Sequence, residues 1–189
     1  MFTRAIQEGV FLTLLEDRHA DQVFSVVDRE REYLREWLPW VDHSKSADDT
    51  RAFIQKSLET FARNEGFAAG IWCGDEYAGT IGTHKVDWLN RKVEIGYWIV
   101  SKFQGRGIVT AACRAVIDHA FNEWKLNRVE IHCAVENVKS CAIPERLGFT
   151  LEGVFREANY VRETFVDLKV YGIVAREWKN RSATSDLRS

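Results

Sequence analysis

The chain has 189 residues, of which 46% are hydrophobic, and a formal net charge of −2. This length is typical of one domain with a core that needs no disulfide or metal. The balanced charge argues against a nucleic-acid binder, which requires clustered Lys and Arg. No apolar run reaches the roughly 20 residues of a membrane helix, and no signal peptide is recognisable. We therefore expect a cytoplasmic protein that contacts neither nucleic acid nor membrane.

The hydrophobic pattern predicts seven strands and four helical regions. In chain order these are a strand at 10–15, a helical region at 17–38, a helix after the capping box at 46–49, a hairpin at 67–73 and 77–86, a strand at 92–100, a helix at 105–124, a strand at 128–135, a helix at 138–147, and strands at 149–155 and 165–175. Two strand–helix–strand units, 92–135 and 128–155, each permit a crossover.

The prediction is a mixed-sheet α/β domain over residues 1–178. The tail 179–189 has Leu187 as its single large apolar residue, and we expect it to be disordered. The four cysteines have no C-x-x-C spacing, and no histidine has a partner at ligand spacing. We therefore expect reduced, mostly buried thiols and no metal site.

The strongest chemical signal is a strand, a loop and a helix over residues 94–121, which read EIGYWIV, SKF and QGRGIVTAACRAVIDHAF. Two glycines that open a helix let the backbone approach an anion, toward which the free N–H groups and the helix dipole point. A turn that merely reverses the chain is the alternative. The P-loop pattern is absent, and Thr110 stands where the dinucleotide motif has its third glycine. A nucleoside phosphate is therefore not the first choice.

The segment QGRGIVT, with Gln104 and Gly107, resembles motif A of the GCN5-related N-acetyltransferases (GNAT), although Val109 replaces the usual Gly or Ala. EIGYW at 94–98 is similar to a strand of the ribosomal-protein acetyltransferase branch, often called RimJ/RimL-like. The segments NVKS at 137–140 and PERLGF at 144–149 resemble the same branch. The resemblance covers roughly residues 8–178. It implies the GNAT fold, with a mostly antiparallel seven-stranded sheet, splayed central strands and flanking helices.

The resemblance also implies acetyl-CoA as the co-substrate, with no metal. The pantetheine arm would contact Ile99, Val100 and Asn137, although Asn137 also suits the N-cap of the following helix. The pyrophosphate would lie on the turn that contains Gln104, Gly105, Arg106, Gly107, Val109 and Thr110.

The mechanism implied is direct attack of an amine on the thioester, without an acyl-enzyme. Ser140 would then bind the cofactor and donate to the departing sulfur, unless it is only a first-turn helix residue. Glu94 is the candidate base, with a solvated strand end paired to Arg91 or Lys92 as the alternative. Asn159 stands near the position of a glutamate base in some members, and it could instead position water or the amine.

The expected acceptor is a primary amine, and the N-terminal α-amine of a (ribosomal) protein is preferred. At pH 7.5 about a third of α-amines are neutral, against ~0.1% of lysine side chains. Glu30, Glu32 and Glu36, with Trp37 and Trp40, are candidates for an acidic and aromatic acceptor wall. Acetylation of a polyamine or aminoglycoside-like small molecule is an alternative, and a CoA-binding module without catalysis is another. The sequence is also compatible with a homo-oligomer.

Overall fold

A computed structural model describes the backbone of residues 3–185 and the side chains of residues 3–180. Eight strands form one sheet in the order β1-β2-β3-β4-β5-β6-β8-β7. They are β1 Thr3–Gln7, β2 Val10–Leu14, β3 Ala68–Cys73, β4 Glu76–Thr83, β5 Lys92–Ile99, β6 Arg128–Ala134, β7 Thr150–Val161 and β8 Thr164–Val174. The helices are α1 Ala20–Arg29, α2 Arg31–Leu34, α3 Ala47–Ala62, α4 Ile108–Asn122, α5 Val138–Leu147 and α6 Ala175–Ser185.

The sheet therefore has eight strands. The prediction of seven is wrong, because it missed the first strand, β1. β1 pairs antiparallel with β2 through a turn in which Gly9 has a φ of 67°. Every residue of β1 except the half-buried Ile6 is exposed. An edge strand that buries almost nothing has no alternation of apolar and polar residues, so the pattern could not reveal it.

The predicted helical region 17–38 is a series of short pieces. A 3-10 turn at Asp17–His19 leads into α1, and a second 3-10 turn, Pro39–Asp42, follows α2. α3 begins where the capping box predicts, because the Ser46 hydroxyl accepts a hydrogen bond from the Asp49 N–H at 3.2 Å. Pro39 at the first position of its turn fits the rule that proline is tolerated there.

The central strands part after a short parallel pairing. β5 and β6 pair only where Lys92–Glu94 lie beside Arg128–Glu130. Beyond that point β5 remains paired with β4 up to Ile99, and β6 remains paired with β8 up to Ala134. Each strand keeps its outer neighbour, so the sheet stays intact while a gap opens between the two inner edges. The predicted splay is confirmed.

Helices cover both faces of the sheet around this gap. Successive side chains of a strand point to opposite faces. Tyr97 contacts Ser140 of α5, whereas its neighbour Trp98 packs on Trp40, with ring centroids 5.9 Å apart. α4 supplies the crossover that the parallel pair β5–β6 requires, and it packs along β1, β4, β5 and β6.

The C-terminal half differs from the prediction in two respects. β8 lies between β6 and β7, so the second predicted crossover joins strands that are not neighbours. α6 includes residues 179–185, which the sequence assigns to a disordered tail, while 186–189 lie outside the described residues. Trp178 is only 5% exposed, and its indole N–H donates to Asp118 Oδ1 at 2.7 Å. This anchor on α4 supports a helix that its polar sequence does not suggest.

Candidate active site

A cavity of about 790 Å³ opens where β5 and β6 part. Its walls come from α2 and the segment after it, β5, the loop after β5, the first turn of α4, and α5. Eight of the predicted cofactor residues line it: Ile99, Gln104, Gly105, Gly107, Val109, Thr110, Asn137 and Ser140. Tyr33, Trp37, Tyr97 and Trp98 add aromatic walls that the cofactor prediction did not include.

The turn before α4 has the conformation of an anion cradle. Gly105 and Gly107 both have a φ of 72°, a left-handed conformation that favours glycine. Space around both is open, because a Cβ added to either would meet no heavy atom within 4 Å. Gly107 is the N-cap of α4 and has no side chain to cap the helix. The N–H groups of the first turn therefore lack both intrahelical and side-chain acceptors at a wall of the cavity.

Polar side chains connect the three elements around this cradle. Arg146 Nη1 of α5 donates to Thr110 Oγ1 at 3.0 Å, and Lys139 Nζ donates to Gln104 Oε1 at 3.1 Å. Gln104 Nε2 in turn donates to the Tyr33 hydroxyl. Burial raises the pKa of Tyr33, against the opposing effect of that hydrogen bond. Two cations thus stand beside the free N–H groups, as an anion site requires.

Two of the predicted cofactor residues do not line the cavity. Val100 is buried, and its N–H already donates to the Ala78 carbonyl at 2.8 Å, so it is not free to bind a ligand. The Arg106 guanidinium stacks near the Phe103 ring, with 5.3 Å between its central carbon and the ring centroid. Because the hydrogen bonds of a strand alternate in direction, the bond from Val100 turns the main-chain groups of Ile99 toward the gap.

Asn137 and Ser140 are joined at the start of α5. The Asn137 side chain accepts from the Ser140 N–H at 3.1 Å, so the expected N-cap is present. The Ser140 hydroxyl lies 3.3 Å from Cys133 Sγ and 3.5 Å from the Tyr97 hydroxyl, and Tyr97 donates to the Ser140 carbonyl at 3.1 Å. Ser140 therefore borders the cavity with its hydroxyl between the buried Cys133 and the half-buried Tyr97.

The thiols near the gap are poor nucleophiles. The four cysteines are free, and all but Cys73 are buried. Burial raises the pKa of Cys133 to about 12, and it raises the pKa of Cys113 well above the usual range. The thiolate is the reactive form of cysteine, so neither group has a reactive population near neutral pH. Within residues 3–185, no three His, Cys, Asp or Glu side chains are arranged to hold a metal ion.

Glu94 lies at the point where the strands part, because it is the last β5 residue paired with β6. Its side chain is 30% exposed and lies between two histidines. His84 Nε2 is 3.7 Å from one carboxylate oxygen, and His132 Nδ1 is 3.5 Å from the other. The expected alternative partners bind elsewhere: Arg91 contacts the Lys125 carbonyl, and Lys92 pairs with Glu130 at 3.6 Å. The sequence offered no signal for the histidines, because His132 comes from β6 and His84 from the loop after β4.

Asn159 lies on the β7–β8 hairpin, away from the cavity. It is half-buried and faces Val166 of β8. Counting alternate residues along β8 reaches Val170, which is opposite His132. Asn159 therefore shares a sheet face with His132 and Glu94, but the structure does not bring it together with Ser140.

The acidic residues of the predicted acceptor wall have different roles. The Glu30 carboxylate accepts from the Ser101 N–H and hydroxyl, at 3.1 and 2.7 Å. Glu32 pairs with Arg35 on the surface. Glu36 lines a second cavity of about 260 Å³ together with Glu136, and this cavity shares lining residues with the first.

Comparison with known proteins agrees with this architecture. The family model described as the acetyltransferase (GNAT) domain matches residues 10–150. The chain therefore belongs to the GNAT acetyltransferase family, and the predicted family and enzyme class are confirmed.

Individual relatives indicate which branch of the family the chain resembles. The chain is 41% identical to the candidate ribosomal N-acetyltransferase YdaF of Bacillus subtilis (strain 168) over 180 residues, which cover 95% of this chain and 98% of that protein. It is 29% identical to the ribosomal-protein-serine acetyltransferase of Escherichia coli (strain K12), with 89% and 94% covered. A structure of RimL, a ribosomal L7/L12 α-N-protein acetyltransferase in complex with coenzyme A, superposes with a TM-score of 0.88 at 26% identity, with 92% and 98% covered. The RimJ/RimL-like branch is thus the one the chain resembles.

Proposed function

We propose that the protein is a cytoplasmic enzyme that moves an acetyl group from acetyl-CoA to the N-terminal α-amine of a protein, a ribosomal protein in the first instance. The observation that carries this proposal is the gap between β5 and β6, which has an anion cradle at one end and Glu94 at the other. The relatives named above act on, or are named for, ribosomal proteins, which supports the same acceptor class here. Within residues 3–185 no helix is both long and apolar enough to cross a membrane.

The residues at the open end fit acetyl-CoA. The first-turn N–H groups of α4 would hold the pyrophosphate, with Arg146 and Lys139 nearby as counter-charges. The main-chain groups of Ile99 and the side chain of Asn137 border the gap in which the pantetheine arm would lie. Once bound there, acetyl-CoA supplies an activated thioester that an amine can attack directly.

Three side chains would serve the chemistry. Glu94, at the start of the gap, would accept the proton that the amine must lose. Ser140 would turn its hydroxyl from Cys133 to the departing sulfur, where negative charge develops. Asn159, on the same sheet face as Glu94, would position the amine or a water molecule. An α-amine makes the smallest demand on the base, because about a third of it is neutral at pH 7.5.

The second cavity supports a cationic acceptor. It is lined by Glu36 and Glu136 beside the rings of Tyr33 and Trp37, and it adjoins the first cavity through shared residues. Carboxylates and aromatic faces both attract an ammonium group. Glu36 and Glu136 are exposed, and Lys139 also lines the cavity. A polyamine would require an enclosed acidic pocket. This site is open and its charge is partly neutralised, which favours the end of a peptide as the acceptor.

The test is acetyl-CoA turnover against peptides that differ in their first residues, with an Nα-blocked lysine peptide and spermidine alongside. We expect turnover with free peptide N-termini and little with the other two. A preference for spermidine would identify a small-molecule enzyme instead. Binding of acetyl-CoA without CoA release by any amine would identify a binding module.

A matched pair of variants tests the second cavity in the same assay. Glu36→Gln should raise KM for the peptide several-fold and leave KM for acetyl-CoA unchanged. Glu32→Gln is the control, because Glu32 lies on the adjacent helix, pairs with Arg35 and lines neither cavity. Equal KM values for the peptide in the two variants would show that Glu36 does not bind the acceptor.

A further inference from the structure

β6 carries a histidine that lies beside Glu94 at the start of the gap. His132 lies on β6 with its side chain 16% exposed, and its two ring nitrogens face two different carboxylates. Nδ1 is 3.5 Å from Glu94 Oε2, and Nε2 is 3.4 Å from Glu130 Oε2. Nε2 is buried and has no hydrogen-bond partner.

His132 lies between an aromatic ring and a network of charged side chains. Phe155 packs edge-on against it, with ring centroids 5.7 Å apart. Glu130, on the other side, is bound by Arg128 Nε at 2.8 Å and lies 3.6 Å from Lys92 Nζ. Arg128 also pairs with Glu152 of β7, so strands on both sides of β6 brace this group.

Glu94 has no comparable support. Among the described residues, its ion-pair neighbours within 4 Å are the two histidines alone, whereas Glu130 has both an arginine and a lysine. His84, the other neighbour, is 66% exposed and is therefore screened by water. Of the two histidines beside the Glu94 carboxylate, His132 is the more buried, with its side chain 16% exposed against 66% for His84.

We propose that His132 is a positioning residue for acetyl transfer: its Nδ1–H holds the Glu94 carboxylate at the start of the gap, where the acceptor amine arrives. This inference rests on the proposed function. The distance of 3.5 Å is a contact longer than a formed hydrogen bond, and such bonds in free enzymes shorten when substrate is bound. In the reaction Glu94 takes the one proton that the amine loses, and His132 keeps its own.

Two amide replacements separate the contacts of the two ring nitrogens. The amide N–H of asparagine lies near the position of Nδ1, whereas that of glutamine reaches the position of Nε2. His132→Gln and His132→Leu should lower kcat about 10- to 100-fold, because a misplaced base loses that much. His132→Asn should stay within about 3-fold of the wild type. KM for acetyl-CoA should not change in any of them, and thermal unfolding of each variant checks the fold.

The double variant shows whether His132 acts through Glu94. In a Glu94→Gln background, adding His132→Leu should lower kcat by less than about 2-fold, because the partner has already been lost. His84→Asn is the matched control on the exposed side of the same carboxylate, and its kcat should equal that of the wild type. Equal losses in His132→Asn and His132→Leu would overturn the proposal, as would an undiminished loss in the Glu94→Gln background.

The assay uses whichever amine the acceptor panel identifies as best. A wild-type enzyme that prefers a small amine would refute the protein N-terminus as acceptor while the His132 test still stands. A wild-type protein that binds acetyl-CoA and acetylates no amine would overturn both proposals.

Discussion

The two ends of the β5–β6 pair have opposite chemistry. At the closed end, Lys92–Glu94 and Arg128–Glu130 are hydrogen bonded, and most of the charged side chains of these strands are gathered there. At the open end, Tyr97–Ile99 and Cys133–Ala134 carry no charged side chain. The charged side chains lie where the two strands are paired, and an apolar space lies where the pairing has ended. Glu94 stands on the boundary, as the last residue of β5 that pairs with β6.

The open end receives its charges from other elements. The cavity there is lined by the first turn of α4, by Lys139 at the start of α5 and by Arg146 near its end. The strands carry no charged side chain at the open end. The charged groups that a ligand would meet there therefore come from loops and helices. The difference predicts that substitutions in the glycine turn before α4 weaken cofactor binding, whereas those at Glu94 and Ser140, which act on the reacting groups, slow the chemistry.

The largest expected effect is at the open end. Gly107→Trp should abolish acetyl-CoA binding, because an indole would fill the open space in front of the α4 N-terminus. The positive φ adds strain of about 1–2 kcal/mol. Gly9→Trp is the matched control: Gly9 has a φ of 67° and equally open space, but it lies in the β1–β2 turn. Calorimetry should show wild-type affinity in the control, and full affinity in a folded Gly107→Trp would break the comparison.

The boundary is tested by Glu94→Gln. A lost general base lowers kcat by about 10²–10⁴. Steady-state kinetics with the best acceptor amine measure this loss. Acetyl-CoA affinity should not change. A normal kcat with a lower melting temperature would instead make Glu94 a structural residue, and the base would have to be sought at Asn159 or in a neutral amine.

Ser140→Ala should have a smaller effect than the loss of the base. A hydrogen bond to a charged group contributes about 1.5–3 kcal/mol, which corresponds to roughly 10- to 150-fold in kcat. The bond strengthens only as charge develops on sulfur, so the Kd of acetyl-CoA should stay nearly constant. A weaker Kd with an unchanged kcat would show that Ser140 only shapes the cavity wall.

The smallest expected effect lies outside both ends, in the β7–β8 turn. Arg162 and Glu163 have φ values of 47° and 62° between Val161 and Thr164, which are paired. This two-residue turn prefers Asn-Gly. Arg162→Asn with Glu163→Gly should stabilise the protein by about 0.5–1 kcal/mol and leave kcat unchanged. Urea unfolding measures the gain, and a loss of activity would extend the functional region to the hairpin tip.

Most of the elements around the gap could be predicted, because the sequence patterns that indicate them are local. The strand at 92–100, the helix at 138–147 and the Asn137 cap match β5, α5 and the observed cap. Alternation, glycine spacing and capping each act over a few residues. β1, the position of β8 between β6 and β7, and the helix after residue 178 could not be predicted, because each depends on packing against distant parts of the chain.

The sequence by itself determined the glycine turn, the helix that follows it and the three motifs of the family, since these depend on near neighbours in the chain. Only the tertiary structure decided that the strands part just after Glu94, that the Val100 N–H is already used, and that His132 faces Glu94. It also decided the burial that raises the pKa of Cys133. The physical reason is that pairing register and burial depend on which distant segments become neighbours, and periodicity within one segment carries no information about its partner.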